Sequence, residues 1–209
     1  LVTALRSQPL GFKILIRASA KSSLLDMMVS SFENYPYSLL APTESELDWA
    51  DGEAVSAYLC EKHPNIVVNF PVEYSPVAIE TEVKSVSSLA KLCVKHNIPT
   101  IQLSSFRVFG KASNVDEVGE GLDPSPRDKH GKLMLAVEDA CGINRDHIIL
   151  RLGWMLTGKG DNVLSKMLSK VLIEEPFFVS DHYYGAPVQE GFVVKAIIAM
   201  IQQILCGAE

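Results

Sequence analysis

The chain has 209 residues and no apolar run of about 18, the length that a helix needs to cross a bilayer. A membrane partner is therefore not expected. Its N-terminus lacks the basic and apolar layout of a secretory signal. It opens on Leu1 rather than Met, as a piece of a longer protein would. Basic residues are in deficit: 19 Lys and Arg stand against 25 Asp and Glu, a net charge of −6. No basic stripe or tail gathers them, which excludes nucleic acid as the expected partner. The four cysteines, Cys60, Cys93, Cys141 and Cys206, form no CxxC pair, and the five His residues show no metal-ligand spacing. A metal site or a disulfide framework is not expected, and free thiols suit a reducing, cytoplasmic setting. Glycine is missing where it would matter most, from the first strand-to-helix turn, "RASAKSSLL" (17–25).

What is present is an alternation of short apolar runs with helical patterns. With 47% hydrophobic residues the chain is long enough to bury a sizeable core. "FKILI" (12–16), "YSLLAP" (37–42), "NIVVNF" (65–70), "TIQLSS" (100–105) and "HIILRL" (147–152) read as buried strands. Segments 23–32, 51–63, 82–97, 131–142, 161–172 and 190–205 carry helical spacing, with Gly142 a suitable residue to close the fourth helix. This order predicts an α/β fold whose parallel sheet is covered on both faces. The irregular stretch 106–129 follows the fourth strand, where ligand-contacting loops tend to lie.

In such sheets ligands bind beyond the carboxyl ends of the strands. A dinucleotide binder has glycines in the first turn, so that pyrophosphate can approach the helix N-terminus. Here each Cβ narrows that space. Ser19, Lys21 and Ser22 could hold an anion by charge and hydroxyl donors; the alternative is that Ser22 or Ser23 caps the helix.

Taken in order, several stretches are similar to the dTDP-4-dehydrorhamnose reductase family of extended short-chain dehydrogenases/reductases. They are "FKILIRASAKSSL" (12–24), "SELDWADGEAV" (45–55), "HPNIVVNF" (63–70), "IQLSSFRVFG" (101–110), "PRDKHGKLMLAVE" (126–138), "ILRLGWMLTGKGDNVLSKML" (149–168) and "VSDHYYGAP" (179–187). The resemblance implies a Rossmann-like doubly wound parallel sheet over residues 11–209. Residues from about 151 would lead into a C-terminal substrate portion that is truncated or reduced. It also implies NADP or NAD as the cofactor, if one binds, and reduction of a keto group on a sugar nucleotide.

Carried over by position, Ser105 stands at the family's Ser/Thr, His130 at its Tyr and Met134 at its Lys. Ala18, Lys21 and Leu24 stand at the three turn glycines, Phe70 and Pro71 at small residues beside the nicotinamide, and Glu82 at an Asn. Between Tyr74 and Glu82 the chain is several residues shorter than the family pattern. The expected catalytic residues are Ser105 and His130, and the expected cofactor contacts are Ser19, Lys21, Ser22 and Asp48. Asp48 could equally end a strand or cap the next helix. Arg151 should pair with a carboxylate, Asn162 should cap a helix, and Trp154 and Met155 should belong to the core. His182, Tyr183 and Tyr184 lie in a loop where the family contacts sugar nucleotide. The phosphate turn, the acid and the ribose clamp are altered together, with Met134 offering no charge, which points to a binding or regulatory protein acting on a sugar nucleotide or a protein partner, with a homodimer also admitted. The alternative is an active NADPH-dependent reductase with His130 as the acid.

Overall fold

Strand β1 (Lys13–Arg17) lies at the heart of one parallel sheet. It pairs with β2 (Ser38–Leu40) on one side and with β3 (Ile66–Asn69) on the other. β4 (Thr100–Ser105) and β5 (His147–Leu152) continue the sheet, giving the order β2-β1-β3-β4-β5. The computed structural model describes residues 11–19, 22–70, 79–110, 119–157, 162–176, 178 and 186–207.

The side-chain period of two explains the layers. Ile14, Ile16, Ile66, Val68, Ile101 and Leu103 face one side. There they pack on α1 (Ser23–Phe32) and α6 (Glu190–Leu205), through Met28, Phe32, Ile197 and Ile201. Leu15 and Val67 face the other side and meet α2 (Gly52–Lys62) and α3 (Ile79–His96). α4 (Lys129–Cys141) extends that second layer through Leu133, Met134, Val137 and Cys141, packed with Val86 and Val108. A sheet buried on both faces needs apolar residues at every position, which is why the strands read as continuous runs.

The helix starts are fixed by short polar side chains. Ser22 accepts from Leu25 N at 3.3 Å to cap α1. Asp51 accepts from Glu53 N and Ala54 N at 2.9 and 3.1 Å to cap α2. Asp128 accepts from Gly131 N at 2.7 Å, so α4 begins at Lys129, ahead of the predicted start at Gly131. Asn162 and Ser165 form a reciprocal capping box at α5 (Val163–Leu172), as expected of Asn162. Gly142 does close α4, but at φ −59 it stays right-handed, so no glycine-only geometry is used there. Leu24 is buried with Met28 and Phe32 inside the core. Two short strands escaped the periodicity, β6 (Met155–Leu156) and β7 (Val188–Gln189), because two residues carry no pattern.

The carboxyl ends of the central strands carry a buried polar network. Arg17, 5% exposed, donates from Nη1 to Glu82 Oε1 at 2.8 Å and from Nη2 to Glu82 Oε2 at 2.6 Å. Its Nη1 also reaches Asn69 Oδ1 at 3.1 Å, and Asn69 Nδ2 donates to Gln102 Oε1 at 2.6 Å. Arg17 Cζ lies 5.8 Å from the centre of the Trp49 ring. These contacts tie β1, β3 and β4 to the first turn of α3.

Two outcomes follow from this packing. Glu82→Gln leaves a buried guanidinium without its counter-charge and should cost about 3–5 kcal/mol of unfolding free energy, whereas the apolar pair Arg17→Met with Glu82→Leu should come out near neutral. Urea denaturation of both proteins measures this. At Gly131 an added Cβ would collide with the Arg107 carbonyl oxygen. Alanine gains about 1 kcal/mol of helix propensity over glycine, but overpacking costs about 1–3 kcal/mol. Because the struck atom is backbone and cannot rotate away, Gly131→Ala should lower stability in the same assay.

Candidate functional site

Beyond the ends of β4 and β5 opens a cleft of ≈ 760 Å³. β4 delivers Ser105 to its rim, and the 3-10 turn Phe106–Phe109 delivers Phe106 and Arg107. The start of α4 supplies Asp128, Lys129 and His130. The segment after β5 supplies Gly153, Trp154 and Met155, and the α5 cap supplies Asn162. The structure thus brings Ser105 and His130, the two expected catalytic residues, to one cleft. Trp154, expected in the core, lines it, and Met155, which packs against the core as expected, also borders it. The Phe106 and Trp154 rings meet edge to face at 6.1 Å and form an aromatic wall.

Several of these groups are already committed to local structure. Ser105 Oγ accepts from Arg107 N at 3.3 Å and so caps the 3-10 turn. Asp128 Oδ2 lies 3.5 Å from Arg107 Nη1 across an exposed ion pair. Asn162 Nδ2 donates to the Thr157 carbonyl and hydroxyl oxygens, both at 2.9 Å. Burial holds the His130 imidazole below its ordinary value of 6.5, Arg107 pushes the same way, and Asp128 opposes them. Burial and Arg107 thus both favour the neutral ring.

Met134, one turn beyond His130 on α4, does not reach the cleft. It is 1% exposed and packs among Val86, Val108, Leu133, Val137 and Cys141. Behind the cleft, Glu138 accepts from Arg151 Nε at 3.0 Å and from Nη2 at 2.8 Å, and also accepts a hydrogen bond from the Ser104 hydroxyl. Arg151 thus has the carboxylate partner expected of it, and this pairing raises its pKa. The guanidinium also stacks on Phe109, with Cζ 4.8 Å from the ring centre.

The expected cofactor contacts are less closely grouped. The Ser22 hydroxyl is spent on the α1 cap. Ser19 lies at the carboxyl end of β1, and its carbonyl accepts from Ser22 N at 3.0 Å. Asp48 is exposed in the loop after β2, where Oδ1 accepts from Ala50 N at 2.8 Å; the cap of α2 belongs to Asp51. Lys21, Pro71, His182, Tyr183 and Tyr184 lie outside the described residues. Among the described residues no cluster of His, Cys, Asp and Glu could hold a metal ion. Sequence reasoning missed Arg107 and Lys129 as cleft residues. The signal available was the position of residues 106–129 after β4.

His130 should titrate by NMR with a midpoint below 6.5; Asp128→Asn should lower it further and Arg107→Ala should raise it. Because the folded value is depressed, the unfolded chain takes the proton first. The stability contribution is complete above 6.5 and declines as pH falls through that value toward the folded one.

The RmlD substrate binding domain family model matches residues 21–209. The dTDP-4-dehydrorhamnose reductase of Aggregatibacter actinomycetemcomitans is 24% identical over 188 residues, which cover 84% of this chain and 62% of that protein. The Salmonella typhimurium dTDP-4-dehydrorhamnose reductase is 26% identical over 149 residues, covering 67% of this chain and 50% of that protein. The chain thus spans less than two thirds of the length of these curated relatives. Among solved structures, the dTDP-4-dehydrorhamnose reductase of Clostridium acetobutylicum superposes with a TM-score of 0.82 at 20% identity, over 92% of this chain and 71% of that one. The Bacillus anthracis dTDP-4-dehydrorhamnose reductase, in complex with NADP, gives 0.81 at 16% identity over the same shares. Thermus thermophilus UDP-glucose 4-epimerase, complexed with NAD, gives 0.73 at 15% identity, over 90% of this chain and 74% of that one. These superpositions establish a Rossmann-like fold. With its sequence matched by the family model over nearly its whole length, the chain belongs to the RmlD substrate binding domain family.

Proposed function

We propose that this chain binds a ligand in the cleft between β4 and β5 and carries out no hydride transfer. The observation that carries this reading is Met134, sunk in the apolar core one turn from His130. A proton donor works best when its pKa lies near the operating pH, and a nearby cation is one way to tune it. Position 134 supplies neither a charge nor a group facing the cleft. Burial disfavours the protonated, acid form of His130. Arg107 and Lys129 beside the Phe106–Trp154 wall suit an anionic ligand with a flat or cyclic body, such as a sugar nucleotide. Action on a protein partner, alone or as a homodimer, is the form such a function takes without turnover. Four free cysteines fit a reducing cytoplasm, and among the described residues no helix is long and apolar enough to cross a membrane.

The competing reading is an NADPH-dependent reductase of a nucleotide-linked keto sugar. Ser105 and His130 in one cleft favour it. One assay separates the two: NADPH oxidation in the presence of dTDP-4-dehydrorhamnose, with a thermal melt alongside. We expect no turnover above the buffer rate. We also expect stabilisation by the sugar nucleotide, about 2.7 kcal/mol at roughly 100 times its Kd, which Arg107→Ala abolishes. Turnover that disappears in a folded His130→Ala variant would establish the reductase instead.

A further inference from the structure

The strand order reverses between β1 and β3: β2 lies outward of β1 on one side, and β4 and β5 lie outward of β3 on the other. In open parallel sheets the connections leaving two such strands part in opposite directions, and the ligand crevice opens between them. A dinucleotide lying there needs free space above the last residues of both strands and a surface that attracts its phosphates.

In this chain those last residues are Arg17 and Asn69, which are register partners. The Arg17 side chain does not reach out to solvent. It is 5% exposed and lies across the switch point, held by Asn69 and by both carboxylate oxygens of Glu82. Glu82 comes from the first turn of α3, so a helix of the second layer is clamped to the end of β1. Trp49 covers the guanidinium from the β2 side. Phe70, the residue after β3, is 3% exposed and fills the opposite face with the α6 cluster. The positive charge at this point is cancelled by Glu82, so it offers a phosphate no net charge. Arg17 Nε is buried with no acceptor among the described residues. A nicotinamide dinucleotide does not fit these residues.

We infer that the Arg17–Glu82 pair closes the switch-point crevice, so that the chain excludes nicotinamide dinucleotides and takes its ligand only in the cleft beyond β4 and β5. This rests on the reading of the chain as a binding protein, but it concerns binding and not turnover. To admit a dinucleotide the molecule would have to break a buried, bidentate ion pair and expose each charge unpaired. Removing both charges together, and shortening both side chains, opens the crevice without that penalty.

The test is a titration with NADPH, read by nucleotide fluorescence and by tryptophan quenching in a Trp154→Phe background, on the otherwise wild-type protein and on Arg17→Thr with Glu82→Asn. Wild type should show no saturable change up to millimolar NADPH. The double variant, melting cooperatively, should bind at least tenfold more tightly than wild type. Saturable micromolar binding by wild type overturns the inference, whatever the variant does and whether or not it folds. A folded double variant as unresponsive as wild type overturns it too, because the closure then lies elsewhere. Wild-type binding without NADPH oxidation would sink this inference alone, while oxidation of NADPH with dTDP-4-dehydrorhamnose would sink the functional reading beneath it.

Discussion

A guanidinium taken out of water must be neutralised, and the burial of Arg17 at the end of β1 sets that demand at the centre of this fold. Glu82 meets it from α3, Asn69 from β3, and Gln102 extends the chain of bonds to β4. The network therefore fixes how far α3 sits from the sheet and how the ends of three strands line up. Its members hold each other: Gln102 Nε2 donates to the Leu103 carbonyl at 2.8 Å, so even the outermost amide is anchored to backbone. Such a network specifies one arrangement, since each half-satisfied alternative leaves a buried polar group unpaired.

A second polar anchor lies behind the cleft. Glu138 draws together Ser104 of β4, Arg151 of β5 and its own helix α4. The stacking of Arg151 on Phe109 carries that order to the 3-10 turn that presents Arg107. Gly131 lets α4 lie directly against this turn, at the Arg107 carbonyl. The cleft thus has a rigid floor and a rim of charges, Arg107, Asp128 and Lys129, that remain partly open to water. The face of α4 that holds Met134 belongs to the floor. Its contribution is packing, in company with Val108 and Val137.

Much of this was legible before any coordinates. The five strands read as apolar runs because a parallel sheet covered on both sides demands apolar residues at successive positions. The apolar face of α6 repeats over four turns, so the spacing predicts 190–205, the span the helix occupies. Ser22 and Asn162 were readable as caps because capping acts within three residues along the chain. Short-range rules failed where the signal was shorter than a period, at β6 and β7, and where a helix start depended on Asp128 rather than on the first apolar residue.

The sequence by itself determined the alternation of elements, the parallel sheet and the caps, since these depend on local spacing, while positions 105, 130 and 134 were picked out by the family resemblance. Only the tertiary structure decided that Arg17 faces Glu82 across 65 positions of chain and not solvent. It also decided that Trp154 lines a cleft rather than the core, and that Met134 is buried behind that cleft. The physical reason is the same in each case. A side chain's charge and size are written in the sequence, but which space it fills depends on the partners that folding brings to it from distant strands and helices.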